Sequence, residues 1–289
     1  MGSAKLLALA GAAALTTTVA NAADFPPAMP QPVPQIVRAP EPVGGWYLRG
    51  DVGIGVQDFG EFQHHPTNPA FVWPASWRID QKEIKSAPFI GFGIGYSWNN
   101  WLRFDVTGEY RSNVPFKVLG SYTEFCPGGR CFDLYDGNHS AWVALVNAYL
   151  DLGTWWCLTP FVGVGVGGAR STVWSFTDVG YISDGTTGFG YAASDASKWS
   201  FAWALHAGVA YDVTSKVKIE FAYRYLNLGD VQTSTIACNS AGCAGAGPRA
   251  YYSLNSFDSH DLKIGIRWML QPDPVPQPVY APPPLMRRG

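Results

Sequence analysis

The chain has 289 residues, a formal net charge of −2 and 15% charged residues, against roughly 25% in ordinary soluble domains. That balance excludes the basic footprint of a nucleic-acid-binding protein, so no nucleic-acid partner is expected. After residue 22 no run of about 18 apolar residues occurs, which excludes a membrane-spanning helix.

Residues 1–22 read as a secretory signal. Lys5 gives a positive start, residues 6–20 an apolar middle, and Ala20-Asn21-Ala22 an A-x-A cleavage site. Residues 23–44 follow as a proline-rich tail, and residues 271–289 form a second one. Together the tails hold 14 of the 22 prolines. Proline cannot donate to a sheet ladder, so both read as extended periplasmic spacers around one folded domain, residues 45–270.

Within that domain eight segments alternate apolar with polar or glycine residues: 46–56, 87–98, 101–111, 140–152, 159–170, 199–213, 217–226 and 258–269. Strand side chains alternate with period two, so each segment has one greasy face and one polar face. In the last, Leu262, Ile264, Ile266 and Trp268 oppose Asp261, Lys263, Gly265 and Arg267. A tilted membrane strand needs about 9–11 residues, which these supply.

The connections alternate in length. Residues 99–100, 153–158 and 214–216 are tight; residues 57–86, 112–139, 171–198 and 227–257 are long. Short periplasmic turns alternating with long external loops are the pattern of an outer-membrane barrel. Trp46, Trp98, Trp101, Trp155, Trp156, Tyr211 and Trp268 gather at the short-turn end, where amphipathic rings suit a membrane boundary. The expected fold is therefore all-β: an eight-stranded antiparallel transmembrane β-barrel with four long external loops, both termini in the periplasm.

The polar faces carry Arg49, Asp51, Arg103, Asp105, Glu109, Arg111, Asp151, Asp212, Lys218, Glu220, Arg224, Asp261, Lys263 and Arg267, seven of each sign. An eight-stranded barrel is just wide enough to be filled by side chains, and an unpaired buried charge is costly. Balanced signs predict a lumen closed by ion pairs. Glycines at 53, 55, 91, 93, 95, 163, 165 and 167 share those faces and leave room for long side chains.

Three stretches, Gly45-Trp46-Tyr47-Leu48-Arg49-Gly50-Asp51-Val52-Gly53, Asn100-Trp101-Leu102-Arg103-Phe104-Asp105 and Phe221-Ala222-Tyr223-Arg224-Tyr225-Leu226-Asn227-Leu228-Gly229, together with the closing strand, give the chain a family likeness. It resembles the small outer-membrane barrels related to the OmpA transmembrane domain and the opacity proteins, the porin-family group, especially its alphaproteobacterial members. The resemblance implies eight strands, insertion by the barrel-assembly machinery, and roles in envelope integrity, adhesion, surface display or, for a few members, haem binding. The chain departs from that pattern in the 21 residues after Trp268. It also shows no peptidoglycan-binding domain.

Four of the five cysteines form matched pairs in external loops, Cys126 with Cys131 and Cys238 with Cys243. In an exported protein such pairs read as disulfides rather than as a zinc site, and no metal is expected. Cys157 is left over in a tight turn. His64 and His65 lie near Phe62, Phe71, Trp73 and Trp77, a composition that could hold haem, although adjacent histidines alone define no ligand geometry. His206 faces inward as an interior residue, and His139 and His260 lie at strand ends. No Ser/His/acid set is recognisable, so no catalytic residue is assigned.

The function these features favour is a non-enzymatic barrel in outer-membrane lipid whose loops bind a surface or periplasmic protein. Tyr122, Phe125, Phe132, Tyr135, Trp174, Phe176, Tyr181, Tyr251 and Tyr252 are the candidate contact residues. The alternatives are a small porin or haem-uptake barrel and, third, a lipid-modifying barrel enzyme.

Overall fold

The computed structural model describes residues 44–67, 73–124, 126, 128–182, 185, 187–192, 194–238 and 250–270. Both proline-rich tails, the leader and Cys243 lie outside the described residues. The strands are β1 (Gly45–Asp58), β2 (Glu61–Pro66), β3 (Arg78–Ile84), β4 (Ala87–Ser97), β5 (Leu102–Tyr122), β6 (Cys131–Asp151), β7 (Leu158–Tyr181), β8 (Thr187–Ala192), β9 (Ala196–Asp212), β10 (Val217–Gln232), β11 (Ile236–Cys238) and β12 (Ala250–Met269). Among the described residues no helix occurs.

Eight of these strands close a ring in the order β1-β4-β5-β6-β7-β9-β10-β12, every neighbour antiparallel. Closure is made by β1 against β12, from Tyr47 opposite Met269 to Asp58 opposite Asp258. Each of the eight alternating sequence segments lies on one of these strands. Their greasy faces point outward: Val52, Ile94, Val106, Val146, Val164, Phe221 and Leu262 are all exposed. In water such a surface would be costly; in hydrocarbon it is the matching one. Tryptophans 46, 98, 101, 155, 156 and 268 ring the short-turn end, with Trp156 94% exposed. Tyr110, Trp142 and Trp199 mark the opposite limit of the lipid-facing band.

The long loops are largely strand. β5, β6 and β7 continue well beyond the band, and four short strands extend the wall: β2 pairs with β12, β3 with β5, β8 with β7, and β11 with β8. In this external storey the faces exchange character. Inward positions become apolar, with Phe59, Phe62, Phe116, Val118, Tyr135, Phe176, Tyr252, Leu254 and Phe257 all buried in one core. The reason is solvent. Within the band the outside is lipid and the inside holds paired charge; above it the outside is water, so only the inside can hide apolar surface.

Candidate functional site

The lumen is built in two layers. The layer inside the membrane band holds the charges. Glu220 on β10 lies 3.2 Å from Arg49, 3.4 Å from Arg103 and 3.2 Å from Arg267. Arg49 also meets Asp105 at 2.7 Å and Asp51 at 2.8 Å, and donates to the Tyr149 hydroxyl. Lys263 stands 3.6 Å from Asp51, and Asp151 takes Arg103 at 3.1 Å and Arg267 at 4.0 Å. A second group lies toward the external side. Asp261 accepts from Arg111 at 2.7 Å and Arg224 at 2.6 Å, and Glu109 takes the same two guanidiniums at 3.0 and 2.8 Å.

Arginine's planar fork suits this work, since one guanidinium can serve two carboxylates at once. Aromatic faces cover what the carboxylates leave. Arg103 sits 4.1 Å from the Tyr149 ring centroid and 4.7 Å from that of Phe161; Arg111 and Arg224 flank Phe89 at 4.9 and 5.0 Å. Asp212 and Lys218 pair at 2.6 Å near the short-turn end, where both remain partly exposed. Of the fourteen inward charges read from the sequence, these two and Asp151 sit least deeply. Glycine makes the crossings possible. A Cβ on Gly55 would collide with the Arg111 guanidinium and the Asp261 carboxylate, and one on Gly95 with the Tyr47 ring.

Sequence reasoning did not pick out the partners that complete this layer: Tyr47, Phe89, Asn147, Tyr149 and Phe161. Asn147 donates to Asp105 at 2.7 Å and bonds His206 at 3.2 Å. Aromatic and amide residues at inward-parity positions between charges were the available signal.

The external layer is aromatic. Phe62 stacks on Tyr252 at 5.1 Å and packs on Tyr135 at 4.8 Å, and Tyr135 stacks on Phe176 at 6.2 Å. Two carboxylates enter it without a cation. Tyr252 donates to Asp178 at 2.9 Å, and Tyr135 to Asp133 at 3.3 Å. Burial, opposed slightly by the Tyr135 hydrogen bond, pushes Asp133 up to about 6; burial and then the Asp133 charge push Asp178 up to about 7.

Three of the expected contact residues therefore face the wrong way for binding. Tyr135, Phe176 and Tyr252 are core residues, because the faces exchange character above the band. Phe132, Trp174 and Tyr181 are exposed, as are Phe189 and Tyr191 on β8, which the sequence reading passed over. Tyr122 and Tyr251 are partly buried, and Phe125 lies outside the described residues.

The histidine pair is separated by strand geometry. His64 turns inward, stacked on Trp73 at 3.9 Å; burial lowers its affinity for protons, to a pKa of about 4. His65 turns outward, stacked on Tyr251 at 4.6 Å and bonded to Ser253. Neighbours on one strand point to opposite faces, so these imidazoles cannot both reach one haem iron. Among the described residues no group of three or more His, Cys, Asp or Glu side chains converges as a metal site. Cys126 and Cys131 form a disulfide at the β5–β6 tip, the Cys238–Cys243 pairing lies outside the described residues, and Cys157 is an exposed free thiol.

A family model described as the outer membrane protein beta-barrel domain matches residues 10–240. A Brucella melitensis protein of uncharacterised role is 30% identical over 279 residues, covering 88% of this chain and 93% of its own. A candidate adhesin of Rickettsia prowazekii is 26% identical over 226 residues, covering 77% of this chain and 86% of its own. Among solved structures, the outer membrane protein OprG of Pseudomonas aeruginosa aligns with 78% of this chain and 95% of its own, at a TM-score of 0.45 and 14% identity.

Proposed function

The chain belongs to the outer membrane protein β-barrel family, and from that premise we propose that it is a non-enzymatic surface-display protein. A barrel closed by ion pairs holds up an external β-wall that binds a protein partner. The observation that carries this reading is the wall itself. It has its own apolar core, yet it presents Phe132, Trp174, Tyr181, Phe189 and Tyr191 to water on its outer side. Rings exposed above the lipid band gain nothing from the membrane, and exposed aromatics on a rigid scaffold are the usual anchors of protein interfaces. The likeness to a candidate Rickettsia adhesin supports the same direction.

In this reading the wall faces outward from the cell and both chain ends lie in the periplasm. The first and last barrel strands meet at the short-turn end, where Leu270 N–H donates to the Trp46 carbonyl at 2.9 Å, which supports that orientation. The barrel-assembly machinery inserts the chain, and outer-membrane lipid surrounds it. The lumen conducts nothing, because guanidiniums and carboxylates bridge from strand to strand across it.

The experiment is replacement of Phe132, Tyr181, Phe189 and Tyr191 by serine, with the barrel checked by heat-modifiable gel migration. Adhesion of cells displaying the variant is expected to fall to the level of cells lacking the protein. Full adhesion by a folded, surface-exposed variant rejects the reading. Single-channel recording on purified protein tests the closed lumen, and a steady porin-sized conductance rejects it.

A further inference from the structure

Arg170 is a cation on the wrong side of the wall. It lies on β7 with outward parity, exposed, between two ring-bearing neighbours: Trp142 is its register partner on β6 and Trp199 its partner on β9. Tyr110 extends the same row, its ring 4.8 Å from that of Trp142. This row is the external limit of the lipid-facing band. One rung toward the membrane centre are Ala144 and Gly168, with the Trp199 ring lying over Gly168 and the exposed Phe201 beside it. One rung outward are hydroxyls, with Thr172 bonded to Ser197 at 2.9 Å and Ser140 accepting from the Trp174 indole at 2.9 Å.

Lys82, Arg78 and Lys117 of the external wall have carboxylate partners, Asp58, Asp80 and Asp136. Among the described residues nothing pairs with the Arg170 guanidinium. An arginine on the lipid face costs free energy with depth and approaches neutrality only at headgroup level, where an anion can meet it. The row therefore offers a planar fork for a phosphate, indoles on both flanks for the glycerol or sugar level, hydroxyls above and exposed apolar side chains below.

We infer that Arg170, Trp142 and Trp199 form a binding site for the phosphorylated, acylated sugar lipid of the outer leaflet, with phosphate on the guanidinium and an acyl chain along the exposed Phe201, Val146 and Val166 below. This rests on the outward orientation of the wall proposed above. Arg170 then has two roles, anchoring the barrel at a fixed depth and ordering a lipid beside the β6–β7–β9 face.

The test titrates diphosphoryl lipid A onto detergent-purified full-length protein and counts bound lipid by native mass spectrometry. Wild type is expected to retain lipid A, Arg170→Gln to lose affinity about tenfold, and Lys117→Gln to match wild type. Gel migration confirms that each variant is folded. Equal retention by Arg170→Gln overturns the site, as does equal binding of dephosphorylated lipid A. Orientation is read separately, by labelling a Thr187→Cys variant that also carries Cys157→Ser, which removes the exposed free thiol of the short-turn end, on intact cells with an impermeant maleimide. Labelling of Thr187→Cys supports the outward wall, so a failed lipid titration then counts against the site alone. Labelling only after the outer membrane is opened overturns the orientation and the inference with it.

Discussion

Arg111 on β5 reaches past β4 and β1 to place its guanidinium 2.7 Å from the carboxylate of Asp261 on β12. Neither side chain has measurable contact with solvent. The bond is a strut across the lumen, joining strands three places apart in the ring.

Removing the Asp261 end of that strut leaves two buried guanidiniums, Arg111 and Arg224, sharing Glu109 alone. Asp261→Asn strips charge from beneath both Arg111 and Arg224. Breaking a buried pair in this way costs about 3 kcal/mol or more. Urea unfolding from lipid vesicles, followed by gel migration, should show a midpoint lowered accordingly. An unchanged midpoint would mean that the charges are spectators.

Gly55→Leu tests the same strut by volume. The new side chain must occupy space now held by Arg111, Asp261 and Ser259. Overpacking alone costs about 1–3 kcal/mol, and displacing the ion pair adds to it. Gly108→Leu is the comparison, because a Cβ there meets nothing within 4 Å. The first variant should fold poorly and the second should behave as wild type.

The external layer should respond to pH. Asp133 and Asp178 have folded pKa values of about 6 and about 7, both raised above the ordinary value of 3.8, chiefly by burial. Groups whose pKa rises on folding contribute stability that is complete below the unfolded value and is lost as pH climbs through the folded one. The wall should therefore be tightest near pH 4 and loosen between about 5 and 8. Amide exchange along the β6–β7 extension reads this directly. Asp178→Asn, whose amide oxygen still accepts from Tyr252, should remove most of the dependence; a profile identical to wild type would exclude Asp178 as its source.

Reducing Cys126–Cys131 should have a small effect that is strongest at the tip. The bridge closes a short loop at the end of β5 and β6, so its entropic contribution is about 2 kcal/mol. Cys126→Ser should leave gel migration unchanged, lower the unfolding free energy by no more than about 2 kcal/mol, and let protease cut the tip faster. Loss of the folded band would show that the tip is required for assembly.

Much of this could be read along the chain. Strands facing lipid on one side and charge on the other keep one alternation throughout, so β1, β4 and the 258–269 part of β12 are legible almost residue by residue. The external storey was not, although the same strands continue into it. On β6, Trp142 and Val146 are the apolar outward residues, yet further up it is inward Tyr135 that is apolar. The chain has kept its parity while the solvent has changed, and a reader following hydrophobicity sees the pattern dissolve into a loop. Backbone irregularities add to the break: Ser175 and Ser256 adopt positive φ, and the β6–β7 register shifts between Asp136 and Asn138. Because the inward apolar residues in the outer parts of β6, β7 and β12 were read as loop side chains, Tyr135, Phe176 and Tyr252 looked available for binding.

The seam between the first strand and the last joins Tyr47 to Met269, so the cylinder cannot be completed until almost the whole described chain has been exported. Such distant partners are slow to meet, and until they do each leaves an unsatisfied edge of amide and carbonyl groups. Assembly must therefore keep those two edges apart from other chains until they meet.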